Sequence, residues 1–263
     1  MKRTILRIIC ILIAIGSFGY IGWYYYQMNR TDNDVQSLAR RKEDSQQLNQ
    51  KTDMAEPSTV SGDSGKTFTV LEDFEPLLQK NKNITGWITI EGTKIDYPVM
   101  KSLNGNGDYY LTHNFDQEKD KNGALFMDDR CDIMKPTVNW IIYGHNMKSG
   151  KMFGSLDNYK SEDFYDKHRQ IRFDTIYETG IYDVMYVFQS KVYTDTDIGF
   201  RYYDFIDPQS EYDFMAGVTN MQAMSLYDTG VTCSYGDRLL TLSTCDYDED
   251  NGRFVVVCKR TGD

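Results

Sequence analysis

Two apolar segments near the C-terminus, residues 239–244 and 253–259, are joined by an acidic loop. Cys245 follows the first segment and Arg253 begins the second. If the two segments pair as antiparallel strands, the loop returns Arg253 to the strand end that carries Cys245. A guanidinium there favours a thiolate and can hold negative charge on an acyl intermediate. The pattern therefore indicates a cysteine nucleophile with a cationic neighbour.

The competing interpretation of these two residues is structural. A free cysteine is most often a buried small hydrophobe, and an arginine at the start of a strand is commonly solvated. Strand alternation places Cys245 on one face with Ser243 and places Thr244 on the other. The polar loop 246–252 suggests that the strand end is open to solvent.

A cysteine nucleophile needs a partner that moves protons, most often histidine. The chain has three histidines. His168 lies among charged residues, and His113 lies in a polar loop. His145 follows the apolar segment 139–143 and so stands at a strand end, as Cys245 does. It is the preferred candidate, and the spacing leaves open whether the two strand ends meet.

The N-terminal segment predicts a membrane anchor. Basic residues precede an apolar run, residues 8–26, of about the length that crosses a bilayer. Tyrosines and a tryptophan gather at its far end, as at a membrane interface. We expect a transmembrane signal-anchor over residues 1–26, with a cytoplasmic N-terminus and an extracellular catalytic domain. A cleaved signal peptide is the alternative.

The rest of the chain is predicted to be a linker and one domain. Residues 27–66 have the composition of a polar stalk, helical up to about Met54. Residues 67–263 are long enough for a single core. The net charge of −10 gives no electrostatic basis for binding nucleic acid. The five cysteines form neither a zinc pattern nor a disulfide framework, although a Cys233–Cys258 pair stays open.

Periodicity predicts many short strands and few helices, which favours a closed or nearly closed sheet. The expected helices cover residues 71–79, 152–165 and 207–225. In the last, Asp207 is the expected N-cap, Pro208 is the first helical residue, and Phe214, Val218 and Met221 form one apolar stripe. The expected strands cover residues 87–90, 94–100, 123–127, 139–143, 170–175, 182–193, 239–244 and 253–259.

Three motifs together resemble the active site of a sortase. They are TLSTC ending at Cys245, the downstream Arg253, and YGH ending at His145. Sortases are the cysteine transpeptidases that attach proteins to the cell wall of Gram-positive bacteria. The segments YGHN and GALFMD and the helical insertion before the cysteine strand resemble class B in particular. The resemblance covers most of residues 87–260.

This resemblance implies a mainly β fold: a closed β-barrel of about eight strands, with an N-terminal helix and a long helix inserted before the cysteine strand. It implies Cys245 as nucleophile, His145 as general acid and base, and Arg253 as the oxyanion-binding or substrate-positioning group. Ser243, Thr244 and Tyr143 are the expected substrate-binding residues. Neither a metal nor another cofactor is implied.

The implied reaction cleaves a C-terminal sorting signal after threonine, forms a thioester, and transfers the protein to a peptidoglycan amine of the lipid II type. The expected partners are therefore surface proteins that carry sorting signals, the peptidoglycan precursor and, through the anchor, the membrane. Two alternatives stay open: a membrane-anchored cysteine protease that hydrolyses, and a non-catalytic binding module displayed at the surface. A papain-like enzyme is disfavoured, because its cysteine would precede its histidine.

Overall fold

The computed structural model describes residues 2–49, 58–61, 67–102, 105–194, 196–248 and 250–261. The chain divides into two units, Met1–Arg40 and Arg41–Asp263. This division lies at a different position from the predicted boundary at residue 67, so the prediction that residues 67–263 form the catalytic domain stays a prediction.

The first helix, α1, spans Lys2–Asn49. Among the described residues, no helix is both long and apolar enough to cross a membrane. The predicted signal-anchor at residues 1–26, with its cytoplasmic N-terminus and extracellular catalytic domain, is therefore wrong, because a span needs both properties over about 20 residues. Residues 27–49 of the predicted stalk are helical, as part of α1, while Met54 and most of the linker segment 57–65 lie outside the described residues.

Ten strands are described. The short strands β1 (Thr59–Ser61) and β2 (Thr67–Thr69) pair only with each other. The other eight form one sheet in the order β10-β8-β7-β3-β4-β5-β6-β9, and pairing of β10 with β9 closes it. Their bounds are β3 Ile84–Thr89, β4 Asp96–Met100, β5 Leu125–Met127, β6 Asn139–Gly144, β7 Gln170–Thr175, β8 Ile181–Lys191, β9 Leu239–Cys245 and β10 Gly252–Arg260.

The predicted closed β sheet is confirmed. Strands β6, β9 and β10 are buried along nearly their whole length, so they carry continuous apolar and β-branched residues rather than a simple alternation. Most neighbours pair antiparallel, but β4 pairs parallel with β5, and β6 pairs parallel with β9. Parallel strands end at the same edge of a sheet, so the exits of β6 and β9 lie side by side.

Three further α-helices accompany the sheet: α2 (Glu75–Lys80), α3 (Glu162–Lys167) and α4 (Glu211–Met224). Helix α4 is the predicted insertion between β8 and the cysteine strand β9. Its buried Phe214, Val218 and Met221 pack in a cluster that includes Met185 and Val255 of the sheet. The predicted apolar stripe on this helix is confirmed.

The predicted start of α4 is wrong by three residues, because the N-cap is Ser210 rather than Asp207. The helix begins at Glu211, and the Ser210 hydroxyl caps it by accepting from the Asp213 N–H at 3.1 Å. The Asp207 carboxylate accepts instead from the Val138 N–H at 3.3 Å. The Asp207 side chain, which the local sequence pattern assigns to the helix cap, therefore makes a tertiary hydrogen bond instead.

The single helix predicted over residues 152–165 is also wrong. Met152 has a φ of +48°, outside the right-handed helical region, and forms an isolated bridge with Asn146. The chain then makes a 3₁₀ helix, Leu156–Lys160, before α3. This left-handed turn at Met152 folds the segment back toward the exit of β6.

Candidate active site

The exits of β6 and β9 bring His145 and Cys245 to equivalent positions. In the parallel register, Tyr143 lies opposite Ser243 and Gly144 lies opposite Thr244. The next residue on each chain is His145 or Cys245. The Thr244 hydroxyl also donates to the Gly144 carbonyl at 2.8 Å, which holds the two strand ends together.

Arg253 reaches the same place from the other side of β9. It is the cross-strand partner of Cys245 in the antiparallel register of β9 and β10, as the sequence predicts. Its guanidinium donates to the carbonyls of Gly252 at 2.8 Å and Asn251 at 3.3 Å. These bonds fix the cation where the loop enters β10. Cys245 therefore lies between the histidine that follows β6 and the arginine at the second position of β10.

A cleft of about 280 Å³ joins the three side chains. Cys245, His145 and Arg253 are each only half-buried, so the thiol is not a buried core residue. The rest of the lining is mostly apolar and aromatic, which suits an extended peptide. It consists of Asp108, Leu111, Phe126, Tyr143, Gly144, Val192, Tyr202, Tyr203, Ser243 and Thr244.

A backbone carbonyl orients the His145 ring. Nε2 of His145 lies 2.8 Å from the carbonyl oxygen of Leu111. Because a carbonyl oxygen only accepts, Nε2 carries a hydrogen and Nδ1 is the ring nitrogen that exchanges protons in the neutral form. The other two histidines do not line the cleft: the rings of His113 and His168 stack on Tyr109 and Phe164.

The three predicted substrate-binding residues all line the cleft, and each hydroxyl has a partner within the protein. Thr244 bonds the Gly144 carbonyl, as described above. Ser243 Oγ lies 2.7 Å from the hydroxyl of Tyr202. Burial raises the pKa of Tyr202 to about 12, against the lowering effect of the bond to Ser243. The substrate-binding role of these residues stays a prediction.

Tyr143 connects the cleft to a charged network. Its hydroxyl donates to Asp128 Oδ2 at 3.0 Å, and burial raises its pKa. Arg130 donates to both carboxylate oxygens of Asp128 at 2.9 Å and to the Tyr203 carbonyl at 2.7 Å. Burial acts to raise the pKa of Asp128, but the bonds from Arg130 lower it overall. Arg130 thus links β5 to the segment that carries the cleft residues Tyr202 and Tyr203.

Several residues at the site are missed by sequence reasoning. Tyr202, Tyr203 and Leu111 lie in 3₁₀ helices of three residues, which are too short for a periodic pattern to mark a position as part of a cleft. Asn146 donates from Nδ2 to the Cys245 carbonyl at 2.8 Å. Its place directly after the candidate histidine is the one sequence signal that could have identified it.

The other cysteines lie outside the cleft. All five cysteines are free, so the Cys233–Cys258 pair that the sequence leaves open is not formed. Burial raises the pKa of the Cys131 thiol to about 12 and that of Cys233 to about 11. Within the described part of the chain, no group of three or more histidine, cysteine or acidic side chains is placed to hold a metal ion.

Comparison with known proteins matches residues 88–261 to the sortase domain family. Sortase B of Listeria monocytogenes is 32% identical over 256 residues, covering 93% of this chain and 92% of the relative. Sortase B of Staphylococcus aureus is 34% identical over 192 residues, covering 72% and 75%.

Solved structures agree with the sequence relatives. A Staphylococcus aureus sortase B–substrate complex has a TM-score of 0.72 at 28% identity, covering 89% of this chain and 97% of that one. Sortase B from B. anthracis in complex with AAEK1 has a TM-score of 0.71 at 30% identity, covering 91% and 100%.

The fold is that of a cysteine transpeptidase of the sortase type. The chain belongs to the sortase family, and within it to class B. The protein is therefore an enzyme rather than a non-catalytic binding module, and its type is a transpeptidase rather than a hydrolytic protease.

Proposed function

We propose that this sortase cleaves a sorting signal after threonine and joins the new carboxyl end to an amine. The observation that supports the proposal is the arrangement of Cys245, His145 and Arg253 around one cleft at adjacent strand ends. Each of the three has the chemistry that one part of acyl transfer needs. Cys245 is the nucleophile, His145 moves the protons, and Arg253 stabilises the oxyanion.

In the first half-reaction, the Cys245 thiol gives its proton to Nδ1 of His145, and the sulfur attacks the threonine carbonyl carbon. Negative charge develops on the carbonyl oxygen, where the Arg253 guanidinium can donate to it. The C–N bond then breaks, and the departing amine takes the proton from His145. A thioester between Cys245 and the threonine remains.

In the second half-reaction, an acceptor amine attacks the thioester carbonyl. His145 removes a proton from this amine, and the C–S bond breaks to release Cys245. A new amide bond replaces the original one, so the transfer needs no external energy source. Water competes with the amine at this step. The apolar walls formed by Phe126, Tyr202 and Val192 limit the access of water to the thioester and so favour the amide product over the hydrolysed one.

The substrate in this proposal is a surface protein with an Asn-Pro-x-Thr type signal, which the class B resemblance implies. The acceptor is the amine of a peptidoglycan precursor of the lipid II type. Ser243, Thr244 and Tyr143 line the part of the cleft next to the thiol, where the threonine would lie. We assign the catalytic domain to residues 67–263, which include every residue of this cleft.

The test is a peptide reaction with the purified protein. A peptide with an Asn-Pro-x-Thr signal is incubated with and without a short amine acceptor, and the products are identified by mass spectrometry. The proposal expects an amide product whose yield rises with acceptor concentration, and no product from Cys245→Ala. Products of hydrolysis alone at every acceptor concentration would show a protease instead.

A further inference from the structure

We propose that Asn146 is a positioning residue that holds the nucleophile and the acid–base group in register. Its carboxamide joins the loop after His145 to the backbone of Cys245. The proposal rests on the function proposed above, because it assigns to Asn146 the alignment of that reaction's two partners. Asn146 contacts the backbone of Cys245 and is not itself a residue of the cleft lining.

The need for such a residue follows from where the strand pairing stops. The paired register of β6 and β9 runs from Asn139 opposite Leu239 to Gly144 opposite Thr244. His145 and Cys245 are the first residues beyond it. Backbone hydrogen bonds between the two strands therefore fix the positions just before the reacting pair, but not the pair itself.

Side-chain hydrogen bonds continue the connection past this point. Nδ2 of Asn146 donates to the Cys245 carbonyl at 2.8 Å. The Tyr247 hydroxyl donates in the opposite direction, to the Asn146 carbonyl at 3.0 Å. Together with the bond from Thr244 to Gly144, these contacts make three links between the two chain exits, and the Asn146 link is the one that holds the nucleophile's own backbone.

Asp157 fixes the direction of the amide. Nδ2 of Asn146 also donates to Asp157 Oδ2 at 2.9 Å, from the 3₁₀ helix Leu156–Lys160. An amide nitrogen has two hydrogens, so one serves Asp157 and the other serves Cys245. Rotating the amide by half a turn would set its oxygen against a carboxylate and a carbonyl. The buried Asn146 side chain is therefore held in one orientation.

Replacing Asn146 should disturb the alignment of Cys245 with His145 while the cleft itself stays intact. The cleft walls come from other residues, so substrate binding should persist when Asn146 is replaced. A misplacement of reacting groups by about 1 Å can cost about 10²-fold in rate. We expect Asn146→Ala to lower kcat for thioester formation by about 10–100-fold while KM stays nearly constant.

A matched pair at Asp157 separates the hydrogen bond from charge and from general packing. Asp157→Asn keeps an oxygen that can accept from Asn146, whereas Asp157→Leu keeps the branched shape of the side chain but has no acceptor. The proposal expects Asp157→Leu to resemble Asn146→Ala and Asp157→Asn to retain kcat within about threefold. Thermal unfolding of each variant shows whether it is folded at the assay temperature.

The second readout needs no substrate. Alkylation of Cys245 by iodoacetamide as a function of pH reports how the thiol and the His145 imidazole influence each other. We expect Asn146→Ala and Asp157→Leu to shift this profile, and Asp157→Asn to leave it in place. If the wild-type protein forms no thioester with any signal peptide, the proposed function fails, and the alkylation profile still decides whether Asn146 positions the pair.

Two results would overturn the assignment. One is an Asn146→Ala protein with native kcat and a native alkylation profile. The other is equal damage from Asp157→Asn and Asp157→Leu, because charge rather than the amide bond would then carry the effect.

Discussion

The bond between Ser243 and Tyr202 allows the sharpest test of how the cleft is built. The two hydroxyl oxygens lie 2.7 Å apart, and both residues are only 1% exposed. Ser243 is a predicted substrate-binding residue, yet its hydroxyl already has this partner. We therefore predict that removing the Ser243 hydroxyl and removing the Tyr202 hydroxyl have non-additive effects on the free energy of unfolding.

The expected magnitude follows from what each change leaves behind. Ser243→Ala leaves the Tyr202 hydroxyl buried without its partner, at a cost of about 1–3 kcal/mol in the free energy of unfolding. Tyr202→Phe leaves the Ser243 hydroxyl in the same situation, with a cost of the same order. The double variant leaves neither group behind. Its loss should be smaller than the sum of the two single losses by about 1–2 kcal/mol.

The assay is a double-mutant cycle in urea, followed by the fluorescence of the buried Trp87 and Trp140. All four proteins should unfold with similar m-values, so that midpoints report stability. A second reading comes from alkaline pH. The pKa of Tyr202 is raised to about 12, so its stabilising contribution is complete below about pH 10, the ordinary tyrosine value, and is lost as pH rises through 12.

Tyr202→Phe should accordingly lose less stability than the wild type between pH 10 and pH 12. Strict additivity of the two single changes would refute the reasoning, because it would mean that the hydroxyls do not depend on each other. A large rise in KM for Ser243→Ala with unchanged stability would instead assign the Ser243 hydroxyl to the substrate.

Three further changes test other parts of the site. Arg253→Lys keeps the charge but loses the planar fork, and we expect kcat for thioester formation to fall about 10²-fold, whereas near-native kcat would remove Arg253 from oxyanion stabilisation. Arg130→Met leaves the buried carboxylate of Asp128 without its cation and should cost about 1–3 kcal/mol of unfolding free energy at pH 7. Because the pKa of Asp128 is lowered in the folded protein, the stability that this carboxylate contributes is present above about pH 4 and is lost as pH falls further. If the wild type were more stable than Arg130→Met by the same amount at about pH 3 as at pH 7, this reasoning would be contradicted. Gly144→Ala would push a methyl group into side chains from β5 and the turn after β6. Thermal unfolding should show a loss of about 1–3 kcal/mol in the free energy of unfolding, and no loss would mean that these side chains move aside without cost.

The strands could be predicted from the sequence because most carry a strong local signal. The β-branched and apolar segments of β6, β9 and β10 lie within one or two residues of their predicted positions. The helices were less predictable where tertiary contacts compete with local motifs. Asp207 has the sequence context of a cap but serves the Val138 N–H, and Met152 lies in a left-handed turn that no periodicity indicates.

The pairing of Cys245 with Arg253 was predictable because a single loop joins their strands. The proximity of His145 was not, since it depends on parallel pairing of segments 100 residues apart. The same limit hides Tyr202 and Leu111, which reach the cleft from short 3₁₀ helices. For His145 the family resemblance supplied what spacing could not.

The central claim is that Cys245 carries the substrate as a thioester. The most direct test is to mix the protein with a library of signal peptides, quench in acid, and locate the adduct by mass spectrometry. The account predicts an acyl group ending in threonine on Cys245, released by hydroxylamine, absent from Cys245→Ala and accumulating when no amine is supplied. Cleavage of a signal peptide that proceeds with no adduct on Cys245, or with the adduct on another residue, would contradict it.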